Sequence, residues 1–299
     1  MIPALLLLVA QSGGAHAVAE RPLRQLEAAC SVTDGTDCAE AGLAYAEGKA
    51  VPRDPARAAR LYRTGCEAGD ADSCIRLGMA RDKGEGIEKD AVQASVLFQR
   101  ACDLGDATGC SNIGLSYVFG KGVTKDEARG AAYFTQACEA DSEAGCANLG
   151  TAYAKGVGVR RDRKRAASLY DRACEGGDSN ACFNLGVLYE KGWGVARAVP
   201  KAESLYQRAC DQGEGAGCGN LALLYDKGKI GARDSEQAVT LFRQGCGLSH
   251  AESCYHLGLA YRRGRGVAKD EAQGLAFIRQ AAELDPEFKP ARRVLRHGS

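Results

Sequence analysis

Apolar residues recur along this chain at separations of three and four, as on a helix with one buried face, and the blocks carrying the pattern return every 36 residues. One kind of block reads Cys146, Leu149, Tyr153 and comes back as Cys182, Leu185, Tyr189 and as Cys254, Leu257, Tyr261. A second kind carries small residues and an apolar–aromatic pair: Leu61-Tyr62, Leu97-Phe98, Leu169-Tyr170, Leu205-Tyr206 and Leu241-Phe242. Blocks this short are marginal as isolated helices, so each must bury its apolar face on a neighbour. The pattern predicts a helix A and a helix B repeated seven times, an all-α solenoid of 36-residue helix pairs.

Punctuation between the blocks agrees. Asp54, Asp90, Asp126, Asp162, Asp234 and Asp270 stand where helix B should begin and are suited to cap it, with Ala198 and the nearby Pro200 replacing them in one unit. Gly69-Asp70, Gly105-Asp106 and Gly177-Asp178 punctuate the turn into helix A. After the apolar residue three positions past the helix A cysteine, leucine in most units, comes Gly42, Gly78, Gly114, Gly150, Gly186 or Gly258, with Ala222 as the exception. Glycine inside a helix costs about 1 kcal/mol relative to alanine, so its recurrence implies a close neighbour. Six positions later Gly48, Gly84, Gly120, Gly156, Gly192, Gly228 and Gly264 fit the left-handed residue that ends a helix.

The ends differ from the array. Ile2 to Ala10 is apolar and a later Ala15-His16-Ala17 suits signal peptidase, so residues 1–17 are expected to be a signal peptide, although no Lys or Arg precedes the apolar run. Residues 18–38 are expected to form a capping helix (Arg21 to Cys30) and first turn, 39–284 the repeat array, and 285–299 a capping helix (Phe288 to Leu295) and tail. No stretch approaches the roughly 20 apolar residues of a membrane span, and none is expected.

Charge and cysteine content change the picture in two ways. With 39 Lys+Arg against 38 Asp+Glu the net charge is +1, which lacks the basic surplus of nucleic-acid binders. All 14 cysteines fall in seven pairs eight positions apart: Cys30/Cys38, Cys66/Cys74, Cys102/Cys110, Cys138/Cys146, Cys174/Cys182, Cys210/Cys218 and Cys246/Cys254. An even count at fixed spacing in an exported chain reads as a disulfide framework, paired locally, in a secreted or periplasmic protein. Zinc would need four clustered ligands where each hairpin offers two, so no metal is expected, and no cofactor motif is present.

Taken together, Cys-x-x-Leu-Gly-x-x-Tyr, the Gly-x-Gly-Val turn, Asp, Ala-x-Leu-Tyr and Ala-Cys resemble the Sel1-like repeat proteins, and more narrowly the secreted cysteine-rich Sel1-like proteins called the Helicobacter cysteine-rich family, over residues 21 to 297. The resemblance implies a right-handed superhelix of antiparallel helix pairs, related to tetratricopeptide arrays, with one disulfide bridging adjacent helices in each unit. It implies an adaptor; the alternatives are a penicillin-binding or weak β-lactamase activity on β-lactam or peptidoglycan-derived fragments, and a structural envelope spacer.

The residues themselves name no nucleophile. No Ser-x-x-Lys, Lys-Thr-Gly, Gly-x-Ser-x-Gly or His-Glu-x-x-His occurs. His250, Cys254 and His256 cluster in the last unit, but Cys254 is claimed by Cys246 and the histidines read as surface residues, as does His297 in the tail. A peptide-binding column is the better candidate: Asn112, Asn148, Asn184 and Asn220, with Arg76 and His256 at equivalent places, align along helix A, which lines the groove in tetratricopeptide-like arrays. An amide both donates and accepts, so it can hold an extended backbone of any sequence. Seven residues on stand Lys83, Lys155, Lys191, Lys227 and Arg263, with Glu47 and Phe119 as departures. A protein or peptide and its carboxylate are the expected partner. A local role fits too: Asn bonding its own loop, Lys completing a helix C-terminus. Tyr153 and Tyr189 are expected in the core, and Trp193 is either an exposed anchor or folded onto the neighbouring unit.

Overall fold

The structure, a computed structural model, describes residues 23–31, 35–49 and 51–297; the expected signal peptide lies outside them. They form sixteen helices and no strand. After α1 (Leu23–Ala29), the A helices are α2 (Thr36–Glu47), α4 (Ala71–Lys83), α6 (Ala107–Phe119), α8 (Glu143–Lys155), α10 (Ser179–Lys191), α12 (Gly215–Asp226) and α14 (Ala251–Arg263). The B helices between and after them are α3 (Pro55–Glu67), α5 (Ala91–Asp103), α7 (Glu127–Glu139), α9 (Arg163–Glu175), α11 (Val199–Asp211), α13 (Ser235–Gly247) and α15 (Glu271–Leu284), and α16 (Lys289–His297) closes the described chain.

Local chemistry accounts for these boundaries. Each Asp before a B helix accepts a hydrogen bond from the backbone N–H three residues on, as Asp90 does from Gln93 at 3.0 Å and Asp234 from Gln237 at 2.9 Å. Ala198 makes no such bond, and Pro200 stands in the first turn of α11 instead. Asp70, Asp106 and Asp178 cap A helices in the same way. At the other end Gly156, with φ of 80°, sends its N–H to the Ala152 carbonyl and turns the chain out of α8.

The close neighbour implied by the helix A glycine is the aromatic ring on helix B of the same repeat at Gly42, Gly78, Gly114, Gly150 and Gly186, while Gly258 packs against Ile278 and the Gly274 carbonyl. A methyl group added at Gly114 would lie 2.7 Å from Phe134 Cε1, and one at Gly150 would lie 2.9 Å from the Tyr170 ring. Ring and glycine therefore set the spacing of the pair. The second glycine of the Gly-x-Gly turn serves a different contact. A Cβ on Gly122 would fall 1.9 Å from the Ala91 carbonyl oxygen, because the turn of one repeat lies against the start of the preceding B helix.

All seven expected cysteine pairs are bridged: Cys30–Cys38, Cys66–Cys74, Cys102–Cys110, Cys138–Cys146, Cys174–Cys182, Cys210–Cys218 and Cys246–Cys254. No free cysteine remains among the described residues. From Cys66–Cys74 onward, each bridge joins the last turn of a B helix to the first turns of the following A helix, with Cα atoms 4.4 to 4.7 Å apart. Cys110 and Cys218, the A-helix partners of Cys102 and Cys210, are buried like the others. Like helices do not approach equally. A helices of successive repeats touch directly, α2 with α4, α4 with α6, α6 with α8 and α12 with α14, while B helices stand farther apart. The array thus curves with its A helices on the inner side.

Two expectations of burial need correction. Tyr153 and Tyr189 are half-buried rather than core. Their outward faces are covered by cations from helix B, Arg165 at 4.5 Å and Lys201 at 4.4 Å from the ring centres. Cys146 and Leu149 of the same face are fully buried, as expected.

The packing yields two expected outcomes. Gly150→Ala should destabilise the fold by about 1–2 kcal/mol in chemical denaturation despite its gain in helix propensity, whereas Gly247→Ala, with open space around it, should be neutral or stabilising. Removing one bridge in Cys138→Ser/Cys146→Ser should cost about 2–3 kcal/mol, read as a lower denaturation midpoint that reduction of the parent protein reproduces and exceeds.

Candidate groove site

Helix A carries the asparagines and lysines two residues and nine residues after its cysteine. Asn112, Asn148, Asn184 and Asn220 are all half-buried, and Lys83, Lys155, Lys191 and Lys227 are exposed, as are Glu47, Phe119 and Arg263. The asparagines are not equivalent, and the helix B aromatic fourteen residues earlier tells them apart. Tyr206, at the place before Asn220, is wholly buried and takes the Asn220 amide as a hydrogen-bond partner. Before Asn112 and Asn148 stand Phe98 and Phe134, which offer no hydroxyl. Before Asn184 stands Tyr170, whose hydroxyl is 3.0 Å from the Thr151 hydroxyl instead. The side-chain amides of Asn112, Asn148 and Asn184 make no hydrogen bond to any described residue. The local role open to these side chains, bonding a loop of their own repeat, is not the one they take.

At the equivalent places Arg76 is held by Asp72, Nε to Oδ2 2.7 Å, and His256 stacks on Phe242 with ring centres 5.2 Å apart. Of the lysines, Lys191 stands 3.4 Å from Glu190, while Lys155, Lys227 and Arg263 form no ion pair with a described residue. The A helices therefore carry three amides without a described partner and three exposed cations, Lys155, Lys227 and Arg263, without an ion pair to a described residue. Such a surface can accept and donate to an unpaired backbone and attract carboxylates.

Charge also ties successive repeats together. Asp82 meets Lys121 at 2.6 Å, Glu190 meets Lys229 at 2.7 Å and Asp226 meets Arg265 at 2.8 Å, each pair 39 residues apart and spanning one seam. Glu190 is buried, which opposes its ionisation, but hydrogen bonds from Lys229 and from the Tyr206 hydroxyl outweigh burial and hold its carboxyl below the ordinary value. Burial and the Glu190 charge push the Tyr206 phenol well above its own.

A further periodic signal is easily overlooked in the sequence. Arg53, Lys89, Lys125, Arg161, Arg197, Arg233 and Lys269 place a cation in all seven units, immediately before the helix B cap. Arg53 Nε donates to the Ala46 carbonyl and Arg197 Nε to the Glu190 carbonyl, both at 3.0 Å, so these two complete the C-terminus of their A helices, while Lys125 pairs with Glu127 and Arg233 with Asp226. Trp193 is 42% exposed, and the Arg163 guanidinium of the preceding repeat lies 4.4 Å over its ring.

The histidines form no metal centre, since no group of three or more ligating side chains occurs among the described residues. His250 Nδ1 lies 2.8 Å from the Ser253 hydroxyl, a contact of the kind that activates a serine, yet Ser253 is fully buried and packs against Gly219 and Gly245. Burial lowers the His250 pKa, opposed by Glu252 and Glu214 and aided by the nearby His256. No helix among the described residues is long and apolar enough to cross a membrane.

Comparison with known proteins places this geometry. The family model described as Sel1 repeat matches residues 38–70, 71–106, 107–142, 144–178, 179–214, 216–250 and 251–286. Among solved structures the chain is similar to c5321, a protective antigen of uropathogenic Escherichia coli strains displaying an SLR fold, with 26% identity and a TM-score of 0.59 over 87% of this chain; it spans only 64% of that protein's length. It is similar to a Sel1 repeat protein from Oxalobacter formigenes, with 22% identity and a TM-score of 0.71 over 93% of this chain and 80% of that one. Helicobacter pylori cysteine rich protein B matches 43% of this chain and 92% of its own at 29% identity, with a TM-score of 0.36. No curated protein sequence matches the chain.

The His250 position supports a pH prediction. His250 stands at the N-cap of α14 without a side-chain cap, where α4, α6 and α10 use Asp, α8 uses Ser142 and α12 uses Glu214. With its folded pKa lowered, the unfolded chain binds the extra proton, so this contribution to stability is complete above the ordinary histidine pKa and lost as pH falls below it. His250→Asp should raise the melting temperature at pH 7, by about 1 kcal/mol of stability, and flatten its fall between pH 7 and pH 5.

Proposed function

The chain belongs to the Sel1 repeat family, and from that premise we propose that it is an exported, disulfide-stapled scaffold that binds an extended segment of a protein or peptide along its inner groove. The observation that carries this reading is the row of unbonded amides at Asn112, Asn148 and Asn184 on consecutive A helices. These half-buried amides reach solvent and are free to bond a ligand, and an extended backbone offers one N–H and one carbonyl at each step. A helix would not serve, because its own backbone groups are already paired. Lys155, Lys191 and Lys227 line the same side and suit carboxylates of that segment, and Asn220, bonded to Tyr206, adds little.

Export rests on the bridges and on the leader. Seven disulfides persist in an oxidising compartment, which supports a secreted or periplasmic location, and cleavage after Ala17 would release a mature chain beginning at Val18. Intact-mass measurement of the exported product tests both together.

For binding, the oxidised protein and its Asn148→Ala/Asn184→Ala variant should show the same helicity and melting temperature, because neither amide is bonded within the chain. The variant should lose at least tenfold in affinity for peptides selected on the parent. Equal affinity would remove the asparagines from the site.

A further inference from the structure

The groove changes character along its length. Its C-terminal half carries Lys155, Lys191, Lys227 and Arg263, one exposed cation from each of four consecutive repeats. Its N-terminal half breaks that column with Phe119, which leaves 73% of its surface exposed where the neighbouring repeats place a lysine. Nothing in the packing of α6 requires this ring. Beside it, Met79 is 44% exposed on α4.

These two side chains border real hollows. One, of 290 Å³, lies at the seam of α4 and α6 and is lined by Met79, Phe98, Asn112, Leu115 and Phe119, with Lys83 at its rim. The next, of 320 Å³, lies at the seam of α2 and α4; Leu43, Tyr62 and Met79 give it an apolar wall, and Glu47, Arg53, Arg76 and Glu85 line it as well, beside Lys83. Met79 is the partition between them. The unbonded Asn112 amide belongs to the first hollow, so a group that holds a backbone and a surface that takes an apolar side chain meet there.

We propose that this double hollow is the apolar anchor of the groove, and that its ligand is an extended peptide with two bulky apolar side chains seated on either side of Met79 and carboxylates running onto the cation stripe. The inference rests on the groove reading above and deepens it. Three features select the occupant. Free amides ask for unpaired backbone, which excludes a helix and a lipid chain. The apolar walls that meet at Met79 suit side chains of Leu or Phe size, with the charged groups of each hollow around them. The exposed cations of the C-terminal half, of which only Lys191 has a carboxylate beside it, ask for negative charge, in a chain whose overall charge is only +1. Neighbouring helices stand about 10 Å apart and an extended strand advances about 3.3 Å per residue, so successive repeats read side chains about three residues apart.

The discriminating variant is Phe119→Lys, which installs the residue used by four of the other repeats at a position already exposed and therefore leaves the fold unchanged. A random dodecapeptide library selected on the oxidised parent protein should enrich sequences with two bulky apolar residues about three positions apart, with Asp or Glu to one side. Those peptides should bind Phe119→Lys at least tenfold more weakly. They should bind Lys191→Glu/Lys227→Glu more weakly as well, with a flatter salt dependence. Enriched peptides that lack the apolar pair, or that bind Phe119→Lys as tightly as the parent while still losing affinity to Asn148→Ala/Asn184→Ala, would overturn the anchor and leave the groove reading intact. No enrichment at all would overturn both. Sedimentation of the parent as a dimer that Phe119→Lys dissolves would give the hollow to a second copy of the chain and overturn the peptide.

Discussion

The structure depends on the bridge between the end of each B helix and the start of the next A helix. A helix pair is held together from within, by a ring seated on a glycine, but a stack of pairs has only its seams to resist shear and bending. Cys66 lies in the matched segment 38–70 and Cys74 in 71–106, and the later bridges, Cys102–Cys110 and Cys210–Cys218 among them, likewise cross from one Sel1 segment to the next. The covalent links are therefore placed at the joints. The loop each bridge closes is short, a separation of 8 residues, so it costs little to close in the folded state. Its closure in the unfolded state removes conformations the chain would otherwise regain. What the bridges confer on a binding surface is constancy of angle: a groove assembled from several seams keeps its shape only if every seam does.

Geometry at the seams is uniform while their chemistry is not. Asp82–Lys121, Glu190–Lys229 and Asp226–Arg265 use the same two positions 39 residues apart, and at another seam the two positions are Val118 and Val157. A salt bridge and an apolar pair can occupy the same place because the bridge and the turn glycine have already set the distance. Glu190 shows the limit of this freedom. Buried as it is, it keeps its charge only because Lys229, from the next repeat, and Tyr206 both bond it. Replacing Lys229 alone would strand that carboxylate.

Much of this architecture is legible in the amino-acid order alone, for a physical reason. Helix identity, caps, the helix-ending glycines and the bridges are all local in sequence and are repeated seven times, so each can be checked against six copies. Gly150 implies a close neighbour from its cost alone, though not that the neighbour is Tyr170. The half-burial of Tyr153 and Tyr189 escapes the pattern because the cations that cover them, Arg165 and Lys201, sit twelve residues on in a different helix. The basic column from Arg53 to Lys269 is as periodic as the glycines, yet charged residues before a cap look like solvent-facing filler. Asn112 and Asn220 look identical in the pattern, and only the residue fourteen places upstream, Phe98 or Tyr206, separates a free amide from an engaged one.

That last contrast bears on how a repeat protein acquires a ligand. The repeated residues maintain the architecture, and by repeating they present every seam with the same surface, which cannot favour one partner over another at any particular place. Selectivity must come from the departures. Phe119 in a column of lysines, Phe98 and Phe134 where Tyr would bond an amide, and His256 where asparagine is the rule are each neutral or mildly costly to the stack, and each changes what the groove offers. Positions where the repeat is broken on the inner side without a structural need are therefore the first places to look for recognition. By that criterion the stretch from Met79 to Phe119 outranks the more regular half of the groove, whose lysines attract charge without choosing among its bearers.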